Sequence, residues 1–367
     1  MTTILTPKYY LNKPGALREA GETIKTIAKR VYIVGGKTAL SVSKAFVEGL
    51  DAAGIAYDIL EYGGYPTIET AEEVARNAKE EEAGAIVGIG GGRIMDTVKA
   101  AGGIAGLPVI AVPTIAATCA SWAATSILYN DQGEFTEPRA NENAPIFLVL
   151  DTDIIANAPI RYIQAGISDA LARWYENAPH LRYSNRFYLR WQIKQAELIR
   201  DILENEGLRV VADLKRGVYD PESVVTVLDA SVLLTGLFVS IRSTDELFYG
   251  GIAHNIYHLS SPLHELHGAL HGEQIAFALI VSALLEKKPE KEVLDLVTLF
   301  HKFEQPLTLK EIGLGDDAPE RLDKVLPTIY AASEEYRKLI TQFTLKELKS
   351  TIFEADTIGH AFQNKTL

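Results

Sequence analysis

Cysteine is all but missing. Cys119 stands alone in 367 residues, which excludes a disulfide framework and a cysteine-based zinc site. No run of eighteen or more apolar residues occurs, so no membrane-spanning helix is expected. The opening MTTILTPKYYLNKPG lacks the charged-then-apolar pattern of an export signal, and a cytoplasmic location is expected. No basic run offsets a net charge of −12, from 36 basic and 48 acidic residues. Such a surface repels nucleic acid and anionic membrane, so the expected partner is a small molecule. Histidine is sparse as well, with eight in the chain, yet five of them crowd into GGIAHNIYHLSSPLHELHGALHGE at 250–273.

What is present divides the chain in two. Through residue 157, short β-type runs alternate with helical stretches: RVYIVGG, AYDILEY, AIVGIGGG, PVIAVPT and IFLVLDT. That alternation predicts a parallel, Rossmann-like sheet covered by helices. From residue 158 the apolar spacing is helical, as in YIQAGISDALARWYE and GEQIAFALIVSALLEKK, and an all-helical domain is expected to the end of the chain. Pro159 marks the join, and a cleft between two such domains is a usual place for a ligand.

Two glycine turns carry the nucleotide reading. Gly90, Gly91 and Gly92 end one β-type run and open a helix with Asp96 in its first turn. Backbone N–H groups at such a turn approach a pyrophosphate closely. The competing reading is a tight turn without a ligand. At the second turn, Gly35-Gly36-Lys37, a lysine stands near where many dinucleotide folds place a ribose-binding acid, and it would tolerate a 2′-phosphate.

The histidines read as ligands. His254 and His258 are four apart, as are His267 and His271, so each pair is expected to share a helix face, with Pro262 between two helices. Asp169, set among Ile167, Ala170 and Leu171, would be costly to bury without a cation. Three N/O ligands with one open position describe a catalytic zinc or iron site. Residue chemistry alone does not select which histidines coordinate.

Taken together, GIGGGRIMDTVKA, PTIAATCASWAATSILYND, DTDIIANAP, AGISDALARWYE, GGIAHNIYH and HGEQIAF resemble the glycerol dehydrogenase branch of the iron-containing (group III) alcohol dehydrogenases. The resemblance implies a dehydroquinate synthase-like fold. It implies hydride transfer between NADP(H) or NAD(H) and a small alcohol or carbonyl compound, and one divalent metal, zinc rather than iron. It selects Asp169, His254 and His271 as metal ligands, and sets Gly91, Gly92, Arg93, Thr114 and Tyr129 along the coenzyme. Cys119, Trp122 and His258 are expected near the substrate, although His258 sits one place later than a histidine of the family, where Tyr257 stands.

Departures shape the substrate expectation. Cys119 stands where glycerol dehydrogenases carry an aspartate facing the polyol, Ala123 replaces a serine, and Gly36 and Lys37 replace a ribose-binding aspartate. PTIAATCASW is closer to the sub-branch that includes the bacterial hydroxycarboxylate dehydrogenase A, which reduces 2-oxo acids with NADPH. A 2-hydroxy acid/2-oxo acid pair is therefore expected ahead of glycerol, with Arg173 or Arg242 as the cation that would attract the anion. Glycerol oxidation with NAD is the alternative, and a non-catalytic nucleotide- or metal-binding homologue is a further one. Dehydroquinate synthase and glycerol-1-phosphate dehydrogenase share the architecture but need more cations near the ligand motifs. The chain is expected to form a homo-oligomer.

Overall fold

The computed structural model describes residues 2–182, 186–243 and 251–365. The chain divides into two compact units, Met1–Ile163 with Ala212–Thr244, and Gln164–Val211 with Asp245–Leu367.

The first unit is built on a six-stranded sheet. From one edge to the other its strands are Tyr9–Lys13, Phe147–Asp151, Val109–Pro113, Ala85–Gly90, Arg30–Gly35 and Ala56–Glu61. Every neighbouring pair is parallel. The inner strands read as continuous apolar runs because helices cover both faces, so Ile33, Val87, Ile110 and Val112 are all buried. Leu17, Ile24, Phe46 and Leu50 close one face against Ile89 and Phe147. The chain passes from Arg30–Gly35 outward to the edge strand, then returns to place Ala85–Gly90 on the other side. The direction of winding thus reverses between Arg30–Gly35 and Ala85–Gly90, the kind of place where open α/β sheets bind ligands beyond the strands' carboxyl ends. Both glycine turns read from the sequence lie at those ends.

Residues 212–244 return to this unit although their pattern is helical. Pro221 to Val239 forms one helical stretch with a π-helical turn at Asp229–Leu234. It is long and apolar enough to cross a membrane by length and composition, but 56% of its apolar window is buried inside the protein, as in a core helix. Tyr10 and Asn12 donate hydrogen bonds to Asp229 in its π-helical turn. A short strand, Ile241–Ser243, then pairs antiparallel with Thr2–Ile4. Three residues are too few to display a β period in the sequence.

The second unit is helical in its described part, with Arg161–Asn177, Phe187–Ile202, Ile252–Leu259, His271–Leu285, Glu290–Lys302, Ala318–Ala332 and Leu345–Gln363 as its principal helices. Almost every residue of His271–Leu285 is buried, which is why that segment is apolar on all sides.

Candidate metal and coenzyme site

Asp169, His254 and His271 come from three different helices, yet their ligand atoms lie within 4.8 Å of one another. His271 Nε2 is 3.2 Å and His254 Nε2 3.4 Å from Asp169 Oδ1. Two glycines permit this convergence. A Cβ on Gly272 would sit 1.8 Å from the Ala165 carbonyl oxygen, so only glycine lets the start of His271–Leu285 meet the backbone of Arg161–Asn177. A Cβ on Gly251 would sit 2.4 Å from a Glu176 carboxylate oxygen, so glycine also opens the Ile252–Leu259 helix. Glu273 accepts a 2.7 Å hydrogen bond from the Leu270 N–H, which fixes the first turn that carries His271.

The charges are arranged around His254. Glu176 is two helical turns beyond Asp169 on the same helix and almost wholly buried. Its carboxylate lies 2.5 Å from His254 Nδ1 and also accepts the His254 backbone N–H at 3.2 Å. The pairing commits Nδ1 to the carboxylate and leaves Nε2 facing Asp169, as in the carboxylate–histidine arrangement behind many metal ligands. Burial opposes a charged His254, but Glu176 overrides it and lifts the imidazole to about 9. Burial would likewise raise the Asp169 carboxyl, yet His271 and Arg173 hold it well below its ordinary value. Arg173 donates to Asp169 Oδ1 at 3.0 Å, and the same nitrogen is 3.3 Å from His254 Nε2. A guanidinium therefore reaches into the centre. The Arg242 side chain lies outside the described residues, as does Gly250 of the GGIAHNIYH motif.

One buried carboxylate and two half-buried imidazoles, converging, are a donor set that suits zinc or iron(II). His258 faces the same group, its ring 6.4 Å from His254 and 6.2 Å from His271. Burial, then the neighbouring His271 and His254, push it well below the ordinary histidine range. The expectation that His267 and His271 share a helix face needs correcting. His267 lies in the separate 3₁₀ turn His264–Gly268 and hydrogen-bonds the Ser261 carbonyl at 2.8 Å. Leu270, with ψ 158°, breaks the helical path between them.

In the first unit Gly91 caps the Gly92–Ala105 helix. The Thr114 N–H bonds the Gly90 carbonyl at 3.2 Å, placing Thr114 beside the glycine turn. The Arg93 guanidinium stacks 4.1 Å over the Tyr65 ring, which lies 6.0 Å from Tyr129. The expectation that Asp96 stands in the first turn needs correcting. The helix begins at Gly92 and has no acidic residue in its first turn, and Asp96 lies one turn further on, buried in a 2.9 Å ion pair with Lys99. Lys99 in turn binds the carbonyls of Ala123 and Thr125 and so fixes the segment after Cys119. Gly36 donates to the Ile89 carbonyl at 3.3 Å, which ties the second glycine turn to the first. Lys37 is exposed there, and so is Glu61, which ends the neighbouring strand in register with Gly35. Both signs of charge are therefore presented at this edge. Cys119 and Trp122 are buried, and the indole N–H donates to Ser240 Oγ at 3.1 Å while its ring meets Tyr10 edge-on.

In the sequence Glu176 and Lys99 appear only within the AGISDALARWYE and GIGGGRIMDTVKA motifs, without a role of their own. The spacing of seven from Asp169 was the available signal for Glu176. For Lys99 it was the three-residue step from Asp96.

Residues 7–152 match the model of the iron-containing alcohol dehydrogenases. The chain is 30% identical to a glycerol dehydrogenase of Escherichia coli O6:H1, over 98% of each chain. It is 28% identical to hydroxycarboxylate dehydrogenase A of Escherichia coli K12, over 96% of this chain and 97% of that one. The crystal structure of glycerol dehydrogenase from Schizosaccharomyces pombe has the same fold, with a TM-score of 0.87 over 99% of this chain and 92% of that one at 24% identity. Fold and relatives together define an alcohol oxidoreductase. The chain belongs to the iron-containing alcohol dehydrogenase family, and glycerol dehydrogenases are among its full-length relatives.

Proposed function

We propose that this oxidoreductase transfers a hydride between NADP(H) or NAD(H) and a small 2-hydroxy acid/2-oxo acid pair, in the cytoplasm and as a homo-oligomer. The observation that carries the substrate reading is the Arg173 guanidinium, 3.0 Å from Asp169 and 3.3 Å from His254. A planar guanidinium in a mostly buried site is suited to hold a carboxylate. Cys119, a thiol and a weak hydrogen-bond partner, offers no counterpart to a polyol-binding carboxylate.

In this reading Asp169, His254 and His271 hold one divalent ion, zinc rather than iron, with Glu176 orienting His254. When bound, the ion supplies Lewis-acid polarisation at the substrate oxygen. Arg173 orients the substrate carboxylate. His258, neutral at physiological pH, offers a site for proton transfer. Gly91, Gly92, Arg93, Asp96, Thr114 and Tyr129 belong to the coenzyme face, and Cys119 and Trp122 to the substrate face. With Lys37 and Glu61 both exposed near the ribose end, both coenzymes are accepted and the preference is weak.

Glycerol oxidation is the second reading, favoured by the names of several relatives. Arg173→Gln separates the two. Losing a charge-assisted bond costs about 1.5–3 kcal/mol, roughly a ten- to hundredfold rise in KM for 2-oxobutanoate. An uncharged ketone should show little change, with the metal content of the variant measured alongside. Equal losses on both substrates at full metal occupancy would leave Arg173 a purely structural role.

A further inference from the structure

We propose that the solvent face of the Phe187–Ile202 helix docks, antiparallel, onto the same face of a second copy of this chain. The helix FYLRWQIKQAELIRDI buries Leu189, Ile193, Ala196 and Ile199 against its own unit. That inner stripe accounts for its amphipathic pattern, but a second apolar stripe remains outside. Phe187 is 73% exposed, Leu198 50%, Tyr188 40% and Trp191 36%, with Leu181 at 44% on the turn before. Phe187, Trp191 and Leu198 follow steps of four and seven, the seam of a helix that packs against another helix. Exposed apolar residues are ordinary when scattered, and a contiguous strip of aromatic and aliphatic side chains marks an interaction surface.

The charges beside the seam identify the occupant. Arg190 and Lys194 lie in the first half of the face, Glu197 and Asp201 in the second, and Arg190, Lys194 and Asp201 are exposed. Setting a second copy antiparallel brings Trp191 opposite Leu198. A shift of less than one helical turn sets Arg190 opposite Asp201 and Lys194 opposite Glu197 of the other copy, and one register satisfies both pairs. A two-fold axis then repeats each pair, as an isologous interface requires. Parallel pairing would set Arg190 and Lys194 against themselves. Lys194 already lies 2.5 Å from its own Glu197, so its charge stays compensated near the axis. The neighbouring Arg200 stacks over the Trp174 ring at 4.2 Å and also donates to its own Asp201 at 2.7 and 3.1 Å, so Asp201 would be shared between Arg200 and the incoming Arg190. An anionic membrane fits poorly, because Glu197 and Asp201 share the strip and the chain carries −12 overall.

Sedimentation velocity on the full-length protein at micromolar concentration tests this. The wild type should sediment as a dimer or a multiple of one. Phe187→Glu with Leu198→Glu changes only outward side chains, and should reduce the assembly to half its mass or to the monomer with an unchanged unfolding midpoint. Arg190→Glu and Asp201→Arg should each weaken association at least tenfold, and the double variant should restore it. An unchanged mass for Phe187→Glu/Leu198→Glu would overturn the docking face. Failure of the double charge variant to recover would overturn the antiparallel register. A monomeric wild type would overturn the proposal, and cosedimentation of that monomer with anionic vesicles would assign the strip to a membrane surface instead.

Discussion

Glu176 shows how a residue acts through its neighbour. It makes two contacts with His254, one to the ring and one to the backbone N–H, and it is almost wholly out of water. A carboxylate there holds Nδ1 and so orients the ring with Nε2 toward Asp169. Glu176→Gln keeps the size and the backbone contact but removes the charge. Zinc affinity, read by competition with a chelator, should fall about ten- to hundredfold. An unchanged affinity would mean that helix packing alone orients His254. Of the three proposed ligands, Asp169 was suggested by its residue chemistry, because an aspartate among Ile167, Ala170 and Leu171 asks for a cation, whereas His254 and His271 were selected from five clustered histidines only by the family resemblance. Glu176 was not legible, because a glutamate near a helix end has the same sequence appearance as a solvated one. Arg173 was visible as a cation, but its place at the centre depends on the folded chain.

Among the elements, the decisive feature is how closely three helices approach. Gly272 and Gly251 are the contact points, and neither needs an unusual φ; each is there because a neighbour occupies the space of a side chain. Gly272→Ala would force the His271–Leu285 helix away from Ala165 and pull His271 from Asp169. Overpacking of this kind costs about 1–3 kcal/mol. Urea unfolding should show that loss, and zinc retention after dialysis should fall with it. Wild-type stability and zinc binding in the variant would mean the backbone yields without moving His271. The sequence displayed the helices through their apolar period but gave no distance between them. It also left the 3₁₀ turn His264–Gly268 unseen, since a four-residue step looks alike in a helix and across a break.

For the whole molecule, the alternation of strands and helices revealed the parallel sheet because each inner strand is buried on both faces. The return of residues 212–244 to the first unit was illegible, since a helical pattern does not state which body it packs against. Global stability carries one further signature. Burial raises the Glu286 carboxyl, against the opposing pull of Lys288, Tyr336 and Ser282. A carboxyl raised in the folded state holds its proton more tightly than in the unfolded chain. Stability therefore falls as pH rises from the ordinary glutamate value through the folded one. Urea unfolding of wild type and Glu286→Gln between pH 4 and 8 should show the variant gaining on the wild type across that window. A difference that stays flat with pH would mean Glu286 titrates alike in both states.

The central claim is that a centre with Arg173 beside Asp169, His254 and His271 handles an anionic carbonyl substrate. It is tested most directly by kcat/KM for 2-oxobutanoate reduction and for glycerol oxidation, measured side by side with both coenzymes on protein of known metal content. The prediction is one divalent ion per subunit, turnover with either coenzyme, and a clear preference for the 2-oxo acid. Efficient glycerol oxidation with no measurable activity on any 2-oxo acid would contradict it.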